Sequence, residues 1–192
     1  MPDTARPDTT RKALFLDRDG IINVERDYVH RADDFTFSDG IFDLCRAAGR
    51  HGFLIVVITN QSGIARGLYT EEDFAAITQW MIEKFAAEGV TIAKVYHSPY
   101  HPEAAIDRYR LDHADRKPSP GMILRARDDL KLDLEASVLI GDRLSDIEAG
   151  RRAGIPRLCL IPHESVSISN SEILRDVLIS HSLDEARRTL FE

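Results

Sequence analysis

Five short apolar runs that alternate with helical patterns are the feature that most constrains the fold of this chain. The predicted strands cover residues 13–17, 53–59, 92–97, 138–141 and 157–161. Strands that alternate with helices predict a parallel sheet with helices on both faces, in three α/β/α layers. Ligands of such doubly wound sheets bind beyond the carboxyl ends of the strands. The residues that directly follow the runs are therefore the candidates for a functional site.

The segments between the runs contain recognisable helix ends. One helix is indicated by apolar residues at helical spacing, which are Phe74, Ile77, Met81 and Phe85. Thr70 and Asp73 resemble a capping box at its start. Ser119 is expected to cap a later helix that has Pro120 at its first position. The chain from about residue 165 onward is expected to be a polar loop, a short apolar segment over 177–179 and a terminal helix.

Length and composition predict a single globular domain. With 192 residues, 43% of them hydrophobic and 30% charged, the chain can bury a substantial core. We expect residues 1–11 to be a disordered tail and residues 12–192 to form the domain. A formal net charge of -7 argues against a nucleic-acid-binding surface, which is normally basic.

The chain is expected to be a cytoplasmic monomer without membrane partners. Its apolar runs are too short to cross a bilayer, and its N-terminus has no apolar region of the kind that signal peptides carry. Cys45 and Cys159, the two cysteines, each lie among apolar residues and are expected to be core thiols in a reducing compartment.

Four polar clusters lie where the sheet would bind a ligand. Their sequences are Asp-Arg-Asp-Gly over 17–20, Thr-Asn-Gln-Ser-Gly over 59–63, Arg-Lys-Pro over 116–118 and Gly-Asp-Arg-Leu-Ser-Asp over 141–146. Each cluster alone has an ordinary structural interpretation, such as a strand-end cap, a solvated cation or a helix start. Their coincidence at matching positions of the fold favours a shared site.

The residue types in these clusters suit phosphoryl transfer. A phosphoester dianion repels an anionic nucleophile, so a cation must screen the approach. Asp17, Asp142 and a backbone carbonyl near Asp19 can hold Mg²⁺, which prefers oxygen ligands. The Thr59 hydroxyl and the Lys117 ammonium can hold the oxygens of the transferred group.

The four clusters resemble the motifs of the haloacid dehalogenase (HAD) superfamily of phosphatases, and the resemblance covers roughly residues 13–160. The run Thr-Asn-Gln-Ser-Gly-Ile-Ala-Arg-Gly over 59–67 is similar to that of the heptose bisphosphate phosphatases, relatives of the histidinol-phosphate phosphatases. The resemblance implies a Rossmann-like (HAD-like) domain without a large cap domain. It also implies hydrolysis of the 7-phosphate of a heptose 1,7-bisphosphate, in the supply of nucleotide-heptose precursors for lipopolysaccharide or capsule.

The resemblance also implies a role for each motif residue. Asp17 would be the nucleophile that forms an aspartyl-phosphate, and Asp19 would protonate the leaving oxygen and then activate water. Asp142 would bind Mg²⁺ together with Asp17 and the Asp19 carbonyl, while Asp146 would orient the metal site without binding the ion. The residues implied to stabilise the phosphoryl group are Thr59 and Lys117.

Substrate contacts are implied at two loops and beside the motif residues. They fall on Glu25, Arg26, Asp27, Tyr28, Asn60, Gln61, Ser62, Arg116 and Arg143. Position 143 is Arg where many members of the family have Lys. Arg66 has two interpretations, an anchor for the distal phosphate or a structural cation of its loop. Tyr28 either lines the sugar pocket or covers the core.

A zinc-binding loop of the family has lost its ligands here. The family pattern is Cys-x-His…Cys-x-Cys, and the corresponding positions are Ser98, Tyr100, His113 and Asp115. We expect that zinc is absent and that hydrogen bonds among these four side chains hold the loop. The alternative is a rebuilt metal site that uses His97, His101, His113 and Asp115.

Three other functions compete with the heptose phosphatase. The nearest is a phosphatase for histidinol phosphate or another small sugar phosphate. A non-catalytic binding domain would be expected to lose Asp17, Asp19 or Lys117, and all three are present. A nucleic-acid 3′-phosphatase would need a basic strand-binding surface.

Overall fold

The computed structural model describes residues 11–162 and 172–192. Of the predicted tail, residues 1–10 lie outside the described residues, and Arg11 forms a bridge with Leu132. Much of the polar loop predicted from residue 165 also lies outside them.

The described residues contain one parallel sheet of six strands. The strands are β1 (Lys12–Leu16), β2 (Phe53–Asn60), β3 (Ile92–Ser98), β4 (Val138–Gly141), β5 (Arg157–Leu160) and β6 (Leu178–Ile179). Their order is β3-β2-β1-β4-β5-β6, and every neighbouring pair is parallel. The five predicted strands are confirmed to within one residue at each end. The two-residue β6 falls in the predicted apolar segment, which is too short to show a period.

Helices cover both faces of the sheet, as the alternation of elements predicts. They are α1 (Ile41–Arg50), α2 (Ser62–Ala65), α3 (Glu71–Ala87), α4 (Gly121–Leu130), α5 (Leu144–Ala153) and α6 (Leu183–Phe191). Leu14 and Leu16 of β1 pack with α1, α3 and α6, whereas Ala13 and Phe15 pack with α4 and α5 on the opposite face. Within the described ranges, no helix combines the length and apolarity needed to cross a membrane.

The predicted caps are confirmed at one helix and wrong at another. Thr70 and Asp73 form the capping box at the start of α3. The helix after Ser119 begins at Gly121 with Pro120 as its N-cap residue and no side-chain cap. The Ser119 N–H instead donates to the Arg116 carbonyl oxygen at 2.8 Å, which places Ser119 in a turn before the helix.

The order of the strands brings the carboxyl ends of β1, β2 and β4 together. The chain runs from β1 outward to β3 and then returns to the other side of β1 as β4, which creates the switch point where such sheets bind ligands. The connections that flank this point, residues 17–40 and 99–120, are loops with single 3₁₀ turns at Ala32–Asp34 and Asp107–Tyr109. Within the described residues, neither connection contains a cap domain.

Candidate active site

A pocket of about 460 Å³ opens at the carboxyl ends of the strands. Its lining is Asp17, Arg18, Asp19, Glu25, Asp27, Tyr28, Thr59, Asn60, Gln61, Ser62, Tyr69, Arg116, Lys117, Pro118, Arg143 and Ser145. The four sequence clusters therefore meet in one place. A lining this rich in charged and amide groups suits a small, strongly polar ligand.

Lys117 connects the carboxylates at the floor of the pocket. Its side chain is buried, and its ammonium lies 2.9 Å from Asp17 Oδ2 and 2.6 Å from Asp146 Oδ1. It also donates to the Ile58 carbonyl oxygen at 3.0 Å. Burial alone would lower the pKa of Lys117, but Asp146 and Asp17 outweigh burial and leave this pKa raised. Lys117 is therefore a permanent cation beside Asp17.

Asp17 and Asp142 are buried carboxyl groups. The nearby positive charges lower their pKa values less than burial raises them. Burial raises the pKa of Asp17 to about 7, although Lys117 pulls it down, and Asp146 raises it further. Burial, followed by repulsion from Asp17 and Asp146, raises the pKa of Asp142 to about 9. A divalent cation between them would relieve both the burial and the repulsion.

The described residues contain one group of His, Cys, Asp or Glu side chains that could share a metal ion. It consists of Asp17, Asp142 and Asp146, whose potential ligand atoms all lie within 4.8 Å of one another. An all-carboxylate group of this kind suits a hard cation such as Mg²⁺. The donor set therefore fits the predicted metal.

Both carboxylate oxygens of Asp146 contact neighbouring residues. One oxygen lies against the Lys117 ammonium, and the other accepts from the Arg143 N–H at 3.0 Å. A Cβ at Gly141 would lie 2.3 Å from the Asp146 Cβ, so the close approach requires glycine there. These contacts place Asp146 beside Lys117, within the same carboxylate group as Asp17 and Asp142.

Asp19 is held by donors on both of its oxygens. Oδ1 accepts from Arg18 Nη2 at 2.9 Å and from Asn23 Nδ2 at 3.1 Å. Oδ2 accepts from Gln61 Nε2 at 2.9 Å. The carboxylate lies on the pocket wall, adjacent to the nucleophile candidate Asp17.

β2 ends at Thr59 and Asn60, whose side chains form hydrogen bonds with other residues of the site. The Thr59 hydroxyl accepts from Gln61 Nε2 at 2.8 Å. The Asn60 side chain donates to the Lys117 carbonyl oxygen and accepts from the Lys117 N–H, each at 3.0 Å. Asn60 therefore holds the backbone that carries Lys117.

Most of the predicted substrate contacts lie around the mouth of the pocket. Arg143 lies 3.4 Å from Glu25 and 3.7 Å from Asp142, and Arg116 donates to the Tyr100 carbonyl oxygen at 2.9 Å. Arg26 and Arg66 are exposed and do not belong to the pocket lining. Burial lowers the pKa of Arg116, and the positive charge of Arg66 lowers it further.

Arg18 and Tyr69 line the pocket although no role was predicted for them. Arg18 lies between the two aspartates of the Asp-Arg-Asp motif. The motif is defined by the aspartates, so it predicts no role for Arg18. Tyr69 follows the run over 59–67 and carries no sequence signal of its own. Its hydroxyl donates to Gln61 Oε1 at 2.5 Å, which only the folded chain shows.

The four positions of the zinc loop make contacts of a different kind. The Tyr100 and His113 rings stack with their centroids 3.9 Å apart, and Asp115 pairs with Arg125. The Asp115 N–H donates to His113 Nδ1 at 3.0 Å. Ser98 is fully buried and its hydroxyl oxygen has no hydrogen-bond partner among the described residues, so the hydrogen bonds expected among these four side chains do not include Ser98.

The histidines of the alternative metal site are spread over separate contacts. The structure places His97 Nε2 2.7 Å from Glu71, and His101 Nδ1 accepts from the Glu103 N–H at 3.0 Å. In the part of the chain that the structure describes, His97, His101, His113 and Asp115 do not come together as a ligand group.

Comparisons with known proteins agree with this geometry. A family model for HAD-hydrolase-like proteins matches residues 114–161. A D-glycero-alpha-D-manno-heptose-1,7-bisphosphate 7-phosphatase from Burkholderia mallei is 52% identical over 150 residues, which cover 78% of this chain and 79% of the relative. A D-glycero-beta-D-manno-heptose-1,7-bisphosphate 7-phosphatase from Vibrio cholerae is 42% identical over 174 residues, 91% of this chain and 94% of the relative.

A solved structure is similar over nearly the whole chain. It is that of D,D-heptose 1,7-bisphosphate phosphatase from B. bronchiseptica complexed with magnesium and phosphate, with a TM-score of 0.81 and 26% identity. The match covers 93% of this chain and 97% of that protein.

The doubly wound sheet and the carboxylate–lysine site at its switch point define a HAD-like phosphatase, a phosphoric monoester hydrolase. Within that class, the chain belongs to the family of the heptose-1,7-bisphosphate 7-phosphatases.

Proposed function

We propose that this chain removes the 7-phosphate from D-glycero-D-manno-heptose 1,7-bisphosphate, through an aspartyl-phosphate formed on Asp17. The observation that carries the proposal is the convergence of Asp17, Lys117 and Thr59 on one pocket that two arginines also line, with Asp142 close to Asp17 in a shared carboxylate group. The product would supply nucleotide-heptose precursors for lipopolysaccharide or capsule.

Mg²⁺ is the proposed cofactor. Asp17 and Asp142, together with the main-chain carbonyl of Asp19, would hold it, because the two carboxylates are buried in a cluster that a cation would stabilise. When bound, Mg²⁺ would screen the charge of the phosphoryl oxygens. Asp146 would act through Lys117 rather than as a ligand.

The protein side chains can carry out the reaction in two displacements. The Asp17 carboxylate attacks the phosphorus, the bond from phosphorus to the sugar oxygen breaks, and Asp19 gives its proton to that oxygen. Water then attacks the phosphorus and gives a proton to Asp19, while the bond from phosphorus to the Asp17 oxygen breaks, which releases inorganic phosphate and regenerates the Asp17 carboxylate. Lys117 and the Thr59 hydroxyl balance the charge on the equatorial oxygens in both steps.

The arginines at the pocket mouth would bind the second phosphate. Arg116 and Arg143 line the pocket, and guanidinium groups bind phosphate through paired hydrogen bonds. The charge of Arg66 lowers the pKa of Arg116, but Arg66 lies outside the lining, so we assign it a supporting electrostatic role. Glu25, Asp27, Tyr28 and Ser62 would contact the sugar between the two phosphates.

Phosphate release from a substrate panel tests this function. We expect kcat/KM for a heptose 1,7-bisphosphate to exceed that for histidinol phosphate and for common sugar monophosphates by about tenfold or more, since one charge-assisted contact is worth about 1.5–3 kcal/mol. Both anomers belong in the panel, because relatives named for either anomer match this chain. Equal rates across the panel would contradict the assignment, and a preference for histidinol phosphate would favour the nearest alternative.

A variant of Arg116, which lines the pocket, tests whether this residue binds the second phosphate. Arg116→Met is expected to raise KM for the bisphosphate about tenfold while changing that for a monophosphate by less than about twofold. Arg157→Met is the matched control, because Arg157 begins β5 at the opposite end of the strand from the site. Equal effects on both substrates would remove Arg116 from distal phosphate binding.

We also propose that the loop over residues 98–115 keeps its shape without zinc. The Tyr100–His113 stack connects the two ends of the loop, and the Asp115–Arg125 pair connects the loop to α4. Beneath it lies an apolar cluster of Ile64, Ala65, Tyr69, Phe74, Ala104 and Tyr109. Burial of such a cluster supplies the free energy that a structural metal gives to a loop with no core.

Metal analysis of protein purified without a histidine tag checks this proposal. We expect well under one zinc per chain, and we expect a zinc-selective chelator to leave the melting temperature unchanged when Mg²⁺ is in excess. Stoichiometric zinc, or a large fall in melting temperature on chelation, would favour the rebuilt metal site.

We further propose that the chain acts as a cytoplasmic monomer whose sole partner is its small-molecule substrate. Cys45 and Cys159 are buried and unpaired, as expected in a reducing compartment. The net charge of -7 opposes binding to nucleic acid and to anionic membrane surfaces.

A further inference from the structure

We propose that Arg18 and the pair formed by Gln61 and Tyr69 are positioning residues that hold the Asp19 carboxylate in place for proton transfer. This inference rests on the proposed role of Asp19 as acid and base. It assigns a purpose to Arg18 and Tyr69, and it moves the Gln61 side chain from substrate binding to support of Asp19.

Arg18 holds Asp19 from one side. Its guanidinium is 1% exposed, and Nη2 donates both to Asp19 Oδ1 at 2.9 Å and to the Val29 carbonyl oxygen at 2.7 Å. The Phe74 ring lies beneath it, with its centroid 5.6 Å from the guanidinium carbon. A buried guanidinium held at three places cannot turn away, and a charge-assisted hydrogen bond to a carboxylate is among the stronger ones. Asp19 therefore has a fixed partner on this side.

Gln61 holds Asp19 from the other side. Its Nε2 donates to Asp19 Oδ2 at 2.9 Å and to the Thr59 hydroxyl at 2.8 Å, so both amide hydrogens are used within the protein. Its side chain is 1% exposed. These contacts connect the acid/base carboxylate to the hydroxyl that would hold the phosphoryl group.

Tyr69 fixes which way the Gln61 amide points. The Tyr69 hydroxyl donates to Gln61 Oε1 at 2.5 Å, so Oε1 faces Tyr69 and Nε2 faces Asp19. Burial raises the pKa of Tyr69, so its hydroxyl stays protonated and remains a donor. Without this hydrogen bond the amide could rotate, and the carboxylate would lose its alignment.

The expected consequence is confined to the step in which a proton moves to the leaving oxygen. Proton transfer depends on geometry, because the donor must meet the leaving oxygen within hydrogen-bonding distance. A sugar alkoxide needs that proton as it leaves, whereas 4-nitrophenolate is stable enough to leave without it. Loss of alignment should therefore depend on the leaving group, while general damage to the fold should affect both substrates equally.

The test compares kcat/KM for a sugar phosphate that the wild-type protein hydrolyses with kcat/KM for 4-nitrophenyl phosphate. Tyr69→Phe is expected to lower the first about tenfold and the second by less than about twofold, since general acid catalysis contributes roughly 10²–10⁴-fold in full. Tyr96→Phe is the matched control, because it removes another phenol hydroxyl that donates at 2.9 Å, to Asp129, and we expect it to change neither value.

Arg18→Lys and Arg18→Met extend the test to the other side of Asp19. We expect both to show the same dependence on the leaving group, with the smaller loss for lysine, which keeps the charge but loses the paired geometry. If Arg18→Met prevents folding, Tyr69→Phe and Arg18→Lys still decide the question. Equal losses on both substrates, or no loss on either, would overturn the proposal.

Asp19→Asn separates this inference from the proposed function. If Asp19→Asn lowers kcat/KM for both substrates equally, the role of Asp19 as acid fails, and the inference fails with it. If Asp19→Asn is selective for the sugar phosphate but Tyr69→Phe and Arg18→Lys are not, the acid role stands and the positioning role falls.

Discussion

Replacement of Asp17 by Asn is expected to abolish phosphate release, with a loss on the order of 10⁴-fold or more in kcat, as is typical when a nucleophile is removed. The amide cannot form the acyl-phosphate bond that the first displacement requires. Lys117, Thr59 and Asp19 would remain in place around it, so the loss would report the missing nucleophile. Residual turnover above about 1% of the wild-type rate would refute Asp17 in this role.

The same variant is expected to stay folded. Burial and Asp146 raise the pKa of Asp17 to about 7, which means that the folded protein favours the neutral form of this side chain. Asparagine is neutral and of the same shape, so the melting temperature at pH 6, below that pKa, should stay within a few degrees of wild type. Asp43→Asn, on the exposed face of α1, is the matched control and should change neither rate nor melting temperature.

Much of the fold could be predicted because the spacing of apolar residues along the sequence shows which residues are buried. Four of the five longer strands, β1, β2, β4 and β5, are mostly buried apolar runs, and such runs are visible in sequence, whereas the edge strand β3 is only partly buried. β6 could not be predicted, since two residues have no period. The failed cap at Ser119 has a local cause: the Gly121 N–H donates to the Ala114 carbonyl oxygen at 2.8 Å, and the helix starts only there.

The members of the candidate site could be predicted better than their contacts. The chemical roles of the strand-end carboxylates, Thr59 and Lys117 could be predicted from their residue types alone. In contrast, the contact from Gln61 to Asp19 spans 42 positions, and the contact from Asn60 to Lys117 spans 57. No local pattern encodes contacts of that length, so these hydrogen bonds could not be predicted from the sequence.

Lys117→Met is expected to have the second large effect, lowering kcat about 10²–10³-fold, the range seen when one preorganised charge is removed from a transition state. Lys117 lies 2.9 Å from Asp17 and 2.6 Å from Asp146, and it is buried with them. Asp17 would lose the cation that lowers its pKa, and the phosphoryl oxygens would lose a positive charge. Lys94→Met is the matched control, because Lys94 pairs with Asp129 at the surface, where such pairs contribute little.

The stability of Lys117→Met should depend on pH in a direction that follows from Asp17. The folded pKa of Asp17 is already raised from 3.8 to about 7, so its contribution to stability is complete below pH 3.8 and is lost as the pH rises through 7. Without Lys117, which holds this pKa down, the pKa rises further and the loss continues above pH 7. Melting temperatures measured without metal should therefore differ from wild type more at pH 8 than at pH 5, and added Mg²⁺ should recover part of the difference by replacing the missing charge. A difference that stayed constant from pH 5 to pH 8 would mean that Lys117 stabilises the fold through packing rather than through its charge.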